Sequence, residues 1–352
     1  MGEETAVTAR RGDGRKSAIH EVAALAGVSI ATVSRVVNGN TSKVSEETRK
    51  RVETVIEAVN YRPSSAGSNL RRGTSRILAV MINDRESSYN LAIAASIEAA
   101  ANRDGKVIIL CATQDSPERQ DEFLTEMQSQ LACGIVMIGA VKSRGLKVAL
   151  ASKLPIVFVN RRSPFAVPAP YVGVDNVAAS GEIATHFRAQ GWNTATIFHG
   201  PRISLPTDER VRGFESVFLG DKTSGVKASK HAMPDFKMAS AYKVACDLLD
   251  ANKLSPNIFC TNDELAYGVA RACREHGLDL EMDVNICGFE GNPYNPYVAP
   301  WLSTIHAPST LYGEKVLEIL KTLWRGEEIT TQPEIMIPYE RRFFPSKGRL
   351  RP

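Results

Sequence analysis

The sequence predicts a small all-α unit followed by a larger α/β domain of two lobes, each a doubly wound parallel sheet. Three observations carry that reading. Helical periodicity recurs three times between about Ser17 and Tyr61. From Arg76 onward short apolar runs alternate with helix-length segments, and a stretch rich in Pro, Ser and Gly lies between the two textures. With 352 residues, 43% of them apolar and 23% charged, the chain has room for two or three domains and enough apolar side chains for a sizeable core.

Charge is unevenly spread. Residues 1–76 hold thirteen Lys and Arg against eight Asp and Glu, while the remainder holds thirty against thirty-one. Phosphate neutralisation needs local rather than total positive charge, so a basic first fifth suits a nucleic-acid reader; a solvated basic tail is the alternative. The six cysteines (Cys111, Cys133, Cys246, Cys260, Cys273 and Cys287) form no C-x-x-C pair and sit mostly in apolar runs. They read as reduced core residues of a cytoplasmic protein. No apolar stretch approaches the ~18 residues that span a bilayer, and no apolar segment follows the first basic residues, so neither export nor membrane insertion is expected.

Residues 1–16 are polar and aperiodic and are expected to form a disordered basic arm. The first helix, near Ile19 to Ala26, buries Ile19, Val22 and Ala23 at spacings of three and four. Gly27 provides a sharp turn, and Ser29 can cap the next helix through its side-chain oxygen. That helix, Ile30 to Val37, turns Val33, Val36 and Val37 inward and leaves Ile30, Ala31, Ser34 and Arg35 outside. An exposed Ile beside an Arg suits a thymine methyl and the O6/N7 edge of guanine. Alternatively, Arg35 pairs with a nearby acid on an ordinary surface helix. A third helix starts at Ser45-Glu-Glu-Thr48 and closes the bundle with Val52, Val55, Ile56 and Val59.

The larger domain shows the runs RILAVMI, KVIILCA, GIVMIG, LPIVFVN, TATIFHG, PNIFCT and VNICGF, separated by helical segments. Continuous apolar strands are buried on both faces, which implies parallel sheets covered by helices.

The string EVAALAGVSIATVSRVVNG (Glu21–Gly39), followed by VSEETRKRVETVIEAVNYRPSSAGSNL (Val44–Leu70), strongly resembles the DNA-binding headpiece of the lactose/galactose repressor (LacI/GalR) family. The resemblance implies a helix-turn-helix headpiece over 17–62, a hinge over 63–75, and a two-lobed sensor domain over 76–347 resembling periplasmic sugar-binding proteins. The first lobe would hold about 76–172 and 307–334, and the second about 173–306 and 335–347. It further implies that Ile30, Ala31 and Arg35 read bases, while Ser29, Thr32, Ser34 and Asn38 contact backbone or neighbouring base edges. Tyr61, Ala66 and Leu70 complete the implied DNA contacts, Leu70 as a wedge in the minor groove. Gly67 departs from the helix formers usual at its position, which makes the hinge easy to melt.

Further family signposts are SPERQDEFL, GVDN (Gly173–Asn176), ERVRGF (Glu209–Phe214), CTNDELAYGV (Cys260–Val269) and ICGFEG (Ile286–Gly291). Carried over, they place Asn83, Tyr89, Asn160, Arg210, Phe236, Asn262 and Glu290 in an interlobe effector cleft. Sugars offer ring faces to an aromatic and hydroxyl pairs to a guanidinium, amide or carboxylate. Glu290-Gly291 stands where the family usually has Asp-Asp or Asp-Asn, which points to a reshaped pocket. A mono- or disaccharide or glycoside is favoured over a purine, and a phosphorylated ligand stays open. So does the sign of the response, induction or co-repression.

Two-fold half-sites call for a homodimer on palindromic double-stranded DNA. No leucine heptads that would form a tetramerising coiled coil follow EIMIPYERRFF. No P-loop, G-x-S-x-G elbow or zinc-spaced His cluster is found, so no catalytic residue, metal or cofactor is expected. The acids near Asp263, Glu264 and Glu290 are the candidates for a glycosidase pair, the competing enzyme reading. A transport receptor without DNA activity conflicts with the headpiece.

Overall fold

A computed structural model describes residues 14–61, 74–202, 204–220, 225–327 and 333–344; Ala66, Gly67 and Leu70 lie outside these residues. The chain divides into two compact units, residues 1–75 and 76–352.

In the first unit α1 spans Gly14–Ala26, α2 Ile30–Val37 and α3 Glu46–Ala58. Helix α1 begins at Gly14, three residues inside the stretch 1–16 that composition marked as an arm. Gly27 takes φ +63°, which an L side chain resists, and the Val28 amide donates back to the Ala23 carbonyl at 3.0 Å. The segments Ile19–Ala26 and Ile30–Val37 consequently meet at 104°, within the range of a helix-turn-helix. Ser29 and Ser45 cap α2 and α3, their hydroxyls accepting from the Thr32 and Thr48 amides. Val22, Ala23, Ala26, Val33, Val36 and Val52 form the buried centre, and Arg51 Nε donates to the orphan Ala26 carbonyl at 2.9 Å, fastening α3 to the end of α1.

The second unit holds two six-stranded sheets. The first comprises β1 (Ile77–Ile82), β2 (Val107–Ala112), β3 (Gly134–Ile138), β4 (Ile156–Val159), β5 (Tyr171–Gly173) and β11 (Glu334–Met336), in the order β11-β5-β4-β3-β1-β2, all parallel. Helices α4 (Ser88–Arg103), α5 (Pro117–Ser129), α6 (Arg144–Leu150) and α12 (Tyr312–Trp324) belong to this lobe. The second sheet comprises β6 (Thr194–His199), β7 (Lys227–Ala232), β8 (Asn257–Cys260), β9 (Asn285–Glu290), β10 (Ser303–His306) and β12 (Glu340–Arg342), in the order β12-β10-β9-β8-β6-β7. Only β12 runs antiparallel there, against β10. Its helices are α7 (Asn176–Ala189), α8 (Leu205–Phe218), α9 (Met238–Asp250), α10 (Asp263–Glu275) and the single turn α11 (Asn295–Val298).

The chain passes between lobes three times, after β5, after β10 and between β11 and β12. The third passage falls at 337–339 rather than after 334, because Ile335 and Met336 stay paired with Val172 and Gly173. Strand β7 has no apolar run to announce it: it is an edge strand whose side chains are exposed or half-buried.

Candidate functional site

On α2, Val33 and Val36 are buried, so the opposite face is left to solvent. Ile30 is 40% exposed, Ala31 and Arg35 are exposed, and Ser34 is half-buried. Among the described residues no acid pairs with Arg35. Ser29 and Thr32 hydroxyls lie 2.9 Å apart, and Asn38 Nδ2 donates to the Ser34 carbonyl at 2.6 Å, holding the polar ends of the helix. Tyr61 instead packs half-buried against the headpiece core.

The second candidate site lies between the lobes, at the carboxyl ends of their parallel strands, where ligands bind in doubly wound sheets. Asn83 follows β1, Asn160 follows β4, Asn262 follows β8, Glu290 ends β9 and Phe236 follows β7. These residues, with Arg210 from α8, line one recess. It is continuous through Asn83, Arg161, Ser204 and Phe236 with an outer cavity of about 730 Å³, within the usual size of a small-molecule site.

Arg210 organises the recess. Its Nε donates to Asn176 Oδ1 at 2.9 Å, its Nη1 to the Thr261 carbonyl at 2.6 Å and to Glu290 Oε1 at 3.0 Å, and its plane stacks 4.0 Å over Phe289. Glu290 adopts φ +99°, a conformation that costs on the order of 1–3 kcal/mol. It is held there by the β9–β10 ladder and by the Ala307 amide, which donates to its carbonyl at 3.0 Å. Burial raises the Glu290 carboxyl above the carboxylate range, and Arg210 pulls it partly back.

The side-chain carbonyl of Asn262 caps α10 by accepting from the Leu265 amide at 3.0 Å, which leaves its NH₂ for the cleft. Asn160, at φ +60°, accepts from the Tyr312 hydroxyl at 2.9 Å. Asn90 links Asn83 (3.0 Å) to Asn160 (3.4 Å), so three amides form one chain across the first lobe's wall. Phe236 reaches the recess over Gly200, where an added Cβ would stand 2.2 Å from the ring.

Tyr89 borders a small inner cavity with Asn160, Arg210 and Glu290 rather than the recess itself. It is 2% exposed and lies beneath the floor, donating to the Ala307 carbonyl at 3.0 Å with its ring edge-on to Tyr312. A tyrosine with a backbone partner is satisfied as a core residue, and its position tightens the second passage between lobes. Asp263 is likewise structural. It accepts from the Asn292 amide, Asn295 Nδ2 and Thr304 Oγ1 at 2.6–2.8 Å, and burial lifts its carboxyl to about 7.

Residues 18–64 match the bacterial regulatory proteins of the lacI family, and residues 184–342 match the periplasmic binding protein-like domain. The chain belongs to the lacI family. A lacI-family relative, the transcriptional repressor PurR of Actinobacillus pleuropneumoniae serotype 3, is 28% identical over 328 residues, covering 91% of this chain and 96% of the relative. The lac repressor dimer bound to operator and the anti-inducer ONPF superimposes with TM-score 0.78 at 22% identity, covering 92% and 98% of the two chains. The regulator CelR in complex with cellobiose gives 0.65 at 22% identity, covering 92% and 98%. These two likenesses establish the shared fold.

This lacI-family protein is thus a transcriptional repressor with a ligand-binding domain, not an enzyme. Among the described residues no single helix is long and apolar enough to cross a membrane. Asn90, Arg161 and Glu264 also line the recess and were not among the cleft residues expected from the sequence. Asn90 and Arg161 sit in no distinctive motif, and Glu264 is overshadowed by its neighbours Asn262 and Asp263.

Proposed function

We propose that this repressor grips a palindromic operator as a homodimer, working in the cytoplasm on the nucleoid, and that a sugar or glycoside in the interlobe cleft changes that grip. The observation that carries the DNA half is the exposed pair Ile30 and Arg35 on a capped helix whose other face is buried. A guanidinium that no acid engages among the described residues is available for guanine, and a capped helix presents it without further ordering. Ser29, Thr32, Ser34 and Asn38 supply the polar contacts around it, Tyr61 adds a contact from the end of the headpiece, and Ala66 and Leu70, which lie outside the described residues, supply those of the hinge.

Arg35→Ala is expected to weaken operator binding by about 1–3 kcal/mol, roughly five- to more than a hundredfold, and to relax specificity at one position of each half-site. Selection from a genomic fragment pool, followed by gel-shift titration, checks this. Failure of the wild-type protein to select any symmetric sequence would refute the reading.

The dimer reading rests on exposed apolar side chains. Strand β2 forms one edge of the first sheet and carries Val107 and Leu110, each about half exposed, and Tyr297 on α11 is 84% exposed. Sedimentation of the full chain is expected to return twice its mass, and Leu110→Glu to shift it toward the monomer.

For the effector, Arg210, four amides and Glu290 beside the Phe236 ring match a polyhydroxylated ring better than a flat heterocycle. Thermal shift against a carbohydrate library, with hits tested for release or tightening of bound DNA, settles both the ligand and the sign of the response.

A further inference from the structure

Glu264 opens α10 in the second lobe, yet its partner is in the first. Its Oε1 accepts from the Ser88 amide at 3.1 Å and the Ser88 hydroxyl at 3.2 Å. Asn292, also from the second lobe, donates through Nδ2 to the same hydroxyl at 2.5 Å. Ser88 is the first residue of α4, and the Ser87 cap serves the Asn90 amide. The Ser88 amide therefore belongs to the opening turn that has no intrahelical acceptor, and a carboxyl from across the cleft supplies one at the positive end of the helix.

We propose that Glu264 is a positioning residue of the effector cleft, tying its two walls together through Ser88 so that a ligand between them is enclosed by fixed surfaces. This rests on the cleft being the effector site. A ligand that favours one arrangement of the lobes must gain or lose something between the two arrangements, and this tie is made only when the walls approach.

The charges around Glu264 give the tie a distinctive dependence on acidity. Glu290 from β9 and Asp84 from the loop after β1 act on it, Asp263 and Tyr267 share its helix, and Arg210 is committed to Glu290. At the rim, Lys237 and Glu86 pair with one another at 3.1 Å. Burial, with Glu290 adding to it, raises the Glu264 carboxyl to about 7, the Ser88 hydrogen bonds offsetting only part of the rise. With the walls apart Glu264 is wetter and returns toward the ordinary carboxylate range. The tied state has the higher value, so tying takes up a proton: the tie strengthens as pH falls toward and below 7, and weakens above it.

The test is amide hydrogen exchange on the full-length protein, following Ser88 at pH 6 and pH 8 with rates corrected for intrinsic exchange. Glu264→Ala is expected to speed Ser88 exchange about tenfold. Glu264→Gln, whose carbonyl still accepts, is expected to retain most of the protection. Wild-type protection should fall severalfold from pH 6 to pH 8, and the Gln variant should show no such fall.

Glucose, galactose, ribose and cellobiose serve as probes in parallel. For any that binds the wild type, Glu264→Ala should lose about tenfold in affinity and Glu264→Gln should recover it. Unchanged Ser88 exchange in Glu264→Ala would overturn the tie. Altered exchange with unchanged probe affinity would overturn the positioning role and leave the cleft as the effector site. Altered exchange with no probe binding would support the tie and count against the sugar reading alone.

Discussion

Val33→Asp is expected to abolish operator binding while leaving the larger unit folded and able to bind its effector. Val33 has no exposed surface and sits among Val22, Ala26, Val36 and Val52 at the centre of the three-helix unit. A carboxylate there meets no cation or donor, and burying it uncompensated costs several kcal/mol. A unit this small has little stability to spare, because it buries a smaller fraction of its surface than a larger domain does. Gel-shift titration should show at least a hundredfold loss. Calorimetry should retain the transition of residues 76–352, which form a separate compact unit. Operator affinity within tenfold of wild type would contradict the placement of Val33.

Arg210→Ala should silence the response to effector and destabilise the larger unit. The guanidinium makes three hydrogen bonds and stacks on Phe289, and its removal leaves the largely enclosed Glu290 carboxyl without its cation. Breaking a buried pair from one side costs about 3–5 kcal/mol. In a unit of this size that corresponds to a fall in Tm on the order of 10 °C. The variant should stay on its operator at effector concentrations that release, or otherwise shift, the wild type, while its headpiece binds DNA as before. Normal effector response in a folded variant would show that Arg210 serves packing alone.

How much of this was legible in the sequence varies with how local its cause is. Helix α2 was readable residue by residue because its limits are set nearby, by Gly27 and Ser29 before it and Asn38 after it. The buried strands were readable because both of their faces are covered and the apolar run is continuous. The edge strand β7 was not, since half-exposed positions carry Lys and Ser. Six of the residues named through the family resemblance line the recess, whereas the burial of Tyr89 was not legible because its hydroxyl partner, the Ala307 carbonyl, is 218 residues away. Glu264 was missed for the same reason, its contact with Ser88 crossing 176 residues.

The three passages between the lobes lie side by side at the strand ends they leave or enter. Met336 is registered with Gly173, the Ile337 amide donates to the Gly173 carbonyl at 2.7 Å, and His306 is registered with Glu340. Two bodies joined by one ribbon swivel freely, whereas a seam of three neighbouring ribbons resists twist and sideways slip and yields chiefly to folding along its own line. Whatever molecule fills the gap, the larger unit has one easy direction in which to answer it, so occupancy is converted into a displacement of fixed heading rather than a general loosening.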